Sequence, residues 1–499
     1  MGMKKQSIWK NIRSYFQPDC ETIVPQKLQK LRLTGKEVRV PIDGFPVFEI
    51  QLGKQIVHLQ PDPGLRTNGG NLPYDFILFD PQRYANGIAH LQRLAPGTTL
   101  SIDSDVEHQQ YVFSLPREAF RRHFSVSHEG DALVFRDPIS ELGTYVSLIG
   151  SEPQESRPIN RRVRALLQVK EIFGGALETL SPAAANATLM QVNQLLAKDA
   201  WRQLDGFGNP GGVVELPEQL TPIVLGDLHA EVDNLLKILS ENTFMECLQQ
   251  GKAALILLGD AVHPERPESA ASMDSSLLMM DLIFKLKLRF PKQVFYIIGN
   301  HDSFSHDLMK LGVPQGLLWE KHVTQTRGEE YRAALELFYR QSPLAVVSRD
   351  FIACHAGPVR AKCSLQTLIN IRQFPDMIHE ITWNRTRSSR FPTGYTGSDV
   401  RRFRKSLQVE HNTPFIVGHY PRPGGGTLWS NVDNIQQHHV VMSCRPDCIG
   451  LFTRVDGKMV PQTYPTEALT EWLNGQTGPV EVATNEPVLI ELDFHNVAR

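Results

Sequence analysis

Five short blocks in the second half of the chain combine glycine with metal-ligating side chains. They are Gly226-Asp227-Leu228-His229, Gly259-Asp260, Gly299-Asn300-His301-Asp302, His355-Ala356-Gly357 and Gly418-His419. Carboxylate, imidazole and amide groups suit divalent cations. Two cations about 3.5–4 Å apart need one carboxylate that bridges them and terminal ligands for each. In an extended segment residues i and i+2 share a face, so Asp227 and His229 can grip one ion together. Asp260 is then the natural bridge, and Asn300, His355 and His419 complete the second ion's shell. The glycines ahead of Asp, Asn and His let the chain turn sharply at a sheet edge.

Each block follows a short apolar run: 223–225, 254–258, 294–298, 351–354 and 415–417. From 221 to about 455 such runs alternate with helix-period segments. That alternation predicts an α/β core with functional groups gathered beyond the strand ends. Upstream, between 31 and 150, Val38, Val40 and Ile42, then Phe48, Ile50 and Leu52, alternate with other residues, and Gly and Pro punctuate the runs. This predicts a β-sandwich of many short strands. Segments 161–180 and 183–204 carry helical spacing, with Gly174-Gly175 interrupting the first.

The expected architecture is multi-domain: a helical segment at 1–30, a β-sandwich at 31–155, a helical connector at 156–215, an α/β catalytic unit at 216–465, and a tail at 466–499 with one helix and one strand (488–492). A length of 499 residues agrees with about three domains.

With 52 Lys and Arg against 54 Asp and Glu, the formal net charge is −2. No sequence-wide field favours nucleic acid, and no nucleic-acid partner is expected. The six cysteines have no paired CxxC spacing, which argues against a zinc knuckle and fits a reducing compartment. No run approaches the length of a transmembrane helix, and the N-terminus lacks the apolar stretch of a cleaved signal peptide. Ile8, Trp9, Ile12, Tyr15 and Phe16 share a helical face beside Lys4, Lys5, Lys10 and Arg13, a pattern that docks on the protein's own body or on a membrane surface. The expected location is cytoplasmic, or exported without a cleaved signal. The run Arg401, Arg402, Arg404, Lys405 reads as a solvated helix face, and His438-His439 as surface.

The ordered blocks resemble the calcineurin-like metallophosphoesterase superfamily over residues 221–455. Cys354-His355-Ala356-Gly357-Pro358 and Val417-Gly418-His419 resemble its phosphoprotein phosphatase branch, and Trp383-Asn384-Arg385 is similar to its bacterial members. The resemblance implies a two-sheet β-sandwich flanked by helices. It implies two divalent metals per chain, Mn²⁺ first, with Fe or Zn²⁺ as alternatives. Asp227, His229 and Asp260 would bind the first; Asp260, Asn300, His355 and His419 the second. A metal-bridging hydroxide would attack phosphorus, and His301 would protonate the leaving oxygen as general acid.

The chain departs from that branch at GDxVDRG, where an Asp orients the acidic His and an Arg binds phosphate. Here Gly259-Asp260-Ala261-Val262-His263-Pro264-Glu265-Arg266 places His263 and Pro264 at those positions. Asp302 or Glu265 becomes the candidate orienting carboxylate. Arg385 and Arg266 become the candidate phosphate-binding arginines, Arg385 foremost. His263 is read as loop or as a further acid-base group.

Segment 100–149 resembles a forkhead-associated domain. Ile102-Asp103-Ser104, Phe120-Arg121-Arg122-His123 and Ser140-Glu141-Leu142-Gly143-Thr144 stand where that family has Ile-Gly-Arg, Ser-Arg-x-His and Ser-x-Asn-Gly-Thr. The phosphothreonine arginine falls on Ser104, which leaves Arg121 as the phosphopeptide-binding candidate. The resulting expectation is a metal-dependent phosphatase acting on phosphoproteins. The alternatives are a dinucleoside polyphosphate or nucleotide phosphohydrolase, and a phosphoprotein-binding adaptor with weakened catalysis.

Overall fold

A computed structural model describes residues 20–22, 28, 30–33, 35, 37–42, 46–53, 55–62, 74–79, 91–102, 124–137, 144–150, 157–199, 201–241, 243–265, 272–310, 312–422, 426–455 and 457–476. The expected basic helix at the N-terminus, Arg121, Arg266 and the 488–492 strand lie outside these residues. Of the three stretches that carry the forkhead-associated resemblance, only Ile102 and Thr144 are described.

The N-terminal region is strand-rich. One sheet runs in the order Cys20–Thr22, Glu37–Pro41, Ala132–Arg136, Phe124–His128, Thr99–Ile102. A second runs Leu31–Leu33, Thr144–Gly150, Val47–Leu52, Gln55–Asp62, Asp75–Phe79, Leu91–Leu94. Alternate residues are buried along Glu37–Pro41 and Val47–Leu52, as the period of two requires. Val38, Val40 and Phe135 of the first sheet share one cluster with Phe48, Ile50, Leu59 and Phe76 of the second.

Two further sheets carry the metal-ligating blocks. One has the order Val213–Glu215, Ala345–Val347, Ile352–Cys354, Phe415–Val417, His438–Val441, Leu428–Ser430. The other has Val294–Tyr296, Ala253–Leu257, Thr221–Leu225, Cys448–Val455, Lys458–Pro465. Val224, Ile256, Phe295 and Phe452 meet Val346, Ala353, Ile416 and Val441 in a core between the sheets. The opposite face of the second sheet, with Ile223, Leu225, Leu255 and Leu257, is covered by helices, and helices likewise cover Ile352, Cys354, Phe415 and Val417 of the first. Strands buried on both faces read as continuous apolar runs, which is why the sequence shows them without alternation.

The expected connector forms two helices, Arg157–Phe173 and Pro182–Leu196. The first stops where Gly174 and Gly175 adopt φ of 100° and 140°, so these glycines end the helix and do not merely interrupt it. Ser181 caps the second by accepting from Ala184 N, with Pro182 in its first turn. Leu166, Val169, Leu189 and Val192 join the helical cluster on the sheet that contains Thr221–Leu225.

Two surface expectations are corrected. His438 is fully buried, with Nε2 2.8 Å from Tyr395 Oη, and His439 is 5% exposed. Arg404 is 2% exposed, unlike Arg401 and Arg402, and donates to the carbonyls of His411, Gln436 and Gln437. No helix among the described residues is long and apolar enough to cross a membrane.

A buried charge network joins the strand-rich region to the α/β region. Glu467 pairs with Arg93 (3.1 Å), Lys237 (3.0 Å) and Arg162, and Glu241 pairs with Lys237 (2.7 Å) and Arg162 (3.1 Å). Burial alone would raise the Glu467 pKa, but Lys237, Arg162 and Arg93 hold it well below the ordinary 4.5. A carboxylate depressed in the folded state stabilises the fold above its unfolded pKa and loses that contribution as the pH falls. Glu467→Gln is therefore expected to lower the unfolding free energy at neutral pH by about 3 kcal/mol. Urea titration should show the gap from wild type narrowing as the pH is taken below about 4.

Candidate metal centre

The five blocks converge at the ends of the strands Thr221–Leu225, Ala253–Leu257, Val294–Tyr296, Ile352–Cys354 and Phe415–Val417. Asp260 is their meeting point. Its carbonyl accepts from Leu228 N (3.2 Å) and His229 N (2.9 Å), Oδ1 accepts from His301 N (2.7 Å), and Oδ2 lies 3.3 Å from His355 Nε2. Asp227 Oδ1 accepts from His419 N at 2.8 Å. His229, Asp260 and His419 all hold left-handed backbone (φ 42°, 49° and 66°), a strained state sustained here by these surrounding bonds.

Gly259, at φ 90°, serves the sharp turn the sequence suggested, whereas Gly299 and Gly418 have a different task. A Cβ on Gly299 would collide with Asp260 Oδ1, and one on Gly418 with Asp227 Oδ1. Neither has positive φ, so they are needed for close approach to the carboxylates more than for turning.

Asp227, His229 and Asp260 form one group of ligand-type atoms lying within 4.8 Å of one another; Asp260, His355 and His419 form another, and all are buried. Asn300 Oδ1 is 2.9 Å from His355 Nε2, beside the second group. His229 Nδ1 faces the carbonyls of Val262 and His263 (3.1 Å each), and His355 Nδ1 faces that of Leu258 (2.6 Å). Nδ1–H in each ring must donate to those carbonyls, which leaves Nε2 as the nitrogen available to a cation. His419 Nε2 takes Arg385 Nε (3.3 Å), so Nδ1 is its remaining nitrogen. Asp227 Oδ2 is buried with no hydrogen-bond partner among the described residues. An orphaned carboxylate oxygen and imidazole nitrogens that face the carboxylates make a donor set that fits a divalent metal centre.

Charge balance agrees. Burial raises Asp227 to about 6, partly offset by His355. Burial also opposes ionisation of Asp260, but His355 and His301 take it well below the usual carboxylate range. Burial would lower His355, yet Asp260 and Asp227 raise it to about 9. The pocket thus calls for positive charge next to its carboxylates, which a cation supplies.

Asp302 and Glu265 do not orient His301. Asp302 accepts from Tyr296 Oη (2.5 Å), Gly299 N (2.8 Å) and Asp260 N (3.0 Å), which ties two ligand loops together. Burial and nearby Asp260 raise it to about 7. Glu265 lies 3.0 Å from His229 Nε2 and pairs with Lys310. The partner of His301 Nδ1 is His263 Nδ1, at 3.1 Å. Arg385 lies over both Phe391 and Tyr420, 4.6 Å from each ring centre, where the two rings meet edge to face with centres 5.7 Å apart. Tyr296, Lys310, Phe391 and Tyr420 were missed by sequence reasoning; only the proximity of Tyr420 to His419 and of Phe391 to Arg385 in the chain hinted at any of them.

Residues 220–441 match the family model described as calcineurin-like phosphoesterase. Among solved structures, a protein serine/threonine phosphatase from Saccharomyces cerevisiae with similarity to human phosphatase PP5 is similar at 16% identity, covering 58% of this chain and 91% of that one, with a TM-score of 0.44. The cold-active protein-tyrosine phosphatase of a psychrophile, Shewanella sp., is similar at 13% identity, covering 51% and 83%, with a TM-score of 0.35. No curated protein matches the sequence.

Calorimetric titration of the metal-stripped protein with Mn²⁺ should give about two sites per chain. Asp260→Asn should weaken both. A variant that keeps both affinities would contradict the shared carboxylate.

Proposed function

We propose that the chain, whose residues 220–441 match the calcineurin-like phosphoesterase family model, is a metal-dependent phosphatase that cleaves phosphomonoesters of phosphoproteins. The observation that carries the reading is the pair of buried ligand groups sharing Asp260. The phosphoprotein substrate is supported by the segments 354–358 and 417–419, which resemble the phosphoprotein phosphatase branch.

In this reading Asp227, His229 and Asp260 hold one divalent cation, and Asp260, Asn300, His355 and His419 hold the other. When bound, such ions supply a nucleophile at neutral pH and Lewis-acid stabilisation of phosphoryl oxygens. Oxygen and imidazole ligands accept Mn²⁺, Fe or Zn²⁺. His301 donates a proton to the leaving oxygen; its backbone N–H on Asp260 fixes it beside the ligands. Arg385 binds the phosphoryl group through its terminal nitrogens. Its Nε is committed to His419, and its guanidinium rests in the corner formed by two aromatic rings, so little side-chain freedom is lost on binding.

With Mn²⁺ present, kcat/KM for phosphoserine, phosphothreonine and phosphotyrosine peptides should exceed that for dinucleoside polyphosphates. Preference for the dinucleotide would overturn the substrate assignment; peptide binding without turnover would point to an adaptor. His301→Ala should cost about 10²–10⁴-fold in kcat. Arg385→Ala should cost about 10- to 100-fold in kcat/KM, the worth of charged hydrogen bonds to phosphate.

A further inference from the structure

His263 stands where the related phosphatases have a carboxylate, and the structure gives it an unusual setting. It is fully buried, its backbone N–H donates to Ser276 Oγ (3.0 Å), and its carbonyl faces His229 Nδ1 (3.1 Å). Its φ of 68° is left-handed, so the position is over-determined by its neighbours. Trp319 packs edge-on against its ring, with centroids 6.2 Å apart. Among the described residues the ring's one hydrogen bond is to His301, Nδ1 to Nδ1 at 3.1 Å, and its Nε2 is buried with no partner there.

A bond between two Nδ1 atoms requires a proton on one and a lone pair on the other. Charge in both buried rings is too costly, so two neutral arrangements compete. If His301 carried the Nδ1 proton, its Nε2 would be bare, and His263 would bury an unpaired Nε2–H. If His263 carries it, His263 buries only an unpaired lone pair. Orphaned N–H donors are the rarer defect in folded proteins, so the second arrangement is favoured. We propose that His263 is a positioning residue for ester cleavage: its Nδ1–H donates to His301 Nδ1 and so keeps the transferable proton on His301 Nε2. The inference rests on His301 as the general acid. A histidine here does by choice of tautomer what a carboxylate does by charge.

The step served is P–O cleavage in which the leaving oxygen takes the Nε2 proton as the P–O bond breaks. An alkyl leaving group needs that proton; p-nitrophenolate leaves without it. His263→Phe keeps a ring against Trp319 and removes the nitrogen. His263→Asn keeps a polar atom where Nδ1 stands and tolerates left-handed backbone. Steady-state kinetics should be measured on an alkyl phosphate and on p-nitrophenyl phosphate with the metal-loaded, full-length protein. For His263→Phe we expect kcat on the alkyl ester to fall about 10- to 100-fold with KM unchanged, and kcat on p-nitrophenyl phosphate to fall less than about 3-fold. His263→Asn should restore most of the alkyl activity. Equal losses on both esters, no loss on either, or failure of His263→Asn to restore activity would each overturn the proposal while leaving the phosphatase reading intact. A wild-type protein inactive on both esters would instead overturn that reading and this inference with it.

Discussion

A carboxylate with no access to water organises this site. Asp260 is 1% exposed, and its carbonyl and both side-chain oxygens are engaged by the loops that carry His229, His301 and His355. A buried charge is tolerated only when it is surrounded by donors or opposite charge. The polar ends of neighbouring strands must therefore all reach one point. The left-handed backbone at Asp260 and His229 and the absence of a Cβ at Gly299 are local costs of that convergence. They persist because the strands behind them are locked into cores on both faces, so the loops have no softer way to relax.

Hydrogen bonds behind the ligands matter as much as the ligands. The carbonyls of Leu258, Val262 and His263 fix which nitrogen of His355 and His229 faces the pocket. Asp302, itself held by Tyr296, pins the Gly299 and Asp260 loops to each other. These partners determine geometry without touching a substrate. The same logic extends outward to Arg385, whose place is set by His419 on one side and by the edge-to-face corner of Phe391 and Tyr420 on another.

Much of the fold around residues 213–465, and the convergence of the candidate ligands, was legible in the sequence, for a physical reason. A strand buried on both faces is a continuous apolar run, and a ligand at its end follows immediately, often after a glycine. Asp227, Asp260, Asn300 and His419 all announce themselves in that way, as does His355 after Phe351–Cys354 in the sequence. What the sequence hid depends on partners distant in the chain. Spacing gave no sign that Asp302 turns to Tyr296, that His263 meets His301, or that Arg404 reaches the carbonyls of Gln436 and Gln437. His438 and His439 looked like surface because they are polar, whereas their strand lies inside the sheet, between Phe415–Val417 and Leu428–Ser430. The alternation of Val38, Val40, Phe48 and Ile50 did reveal the strand-rich N-terminal region, since those side chains face one shared core.

The central claim is that Asp260 lies between two cations. Electron paramagnetic resonance of the protein loaded with Mn²⁺ reads this directly, because two manganese ions sharing a carboxylate are exchange-coupled. The account predicts the multiline spectrum of a coupled pair for the wild-type protein, replaced in Asp260→Asn by the signal of isolated Mn²⁺ or by none. Isolated-ion signals from the fully loaded wild-type protein would contradict it.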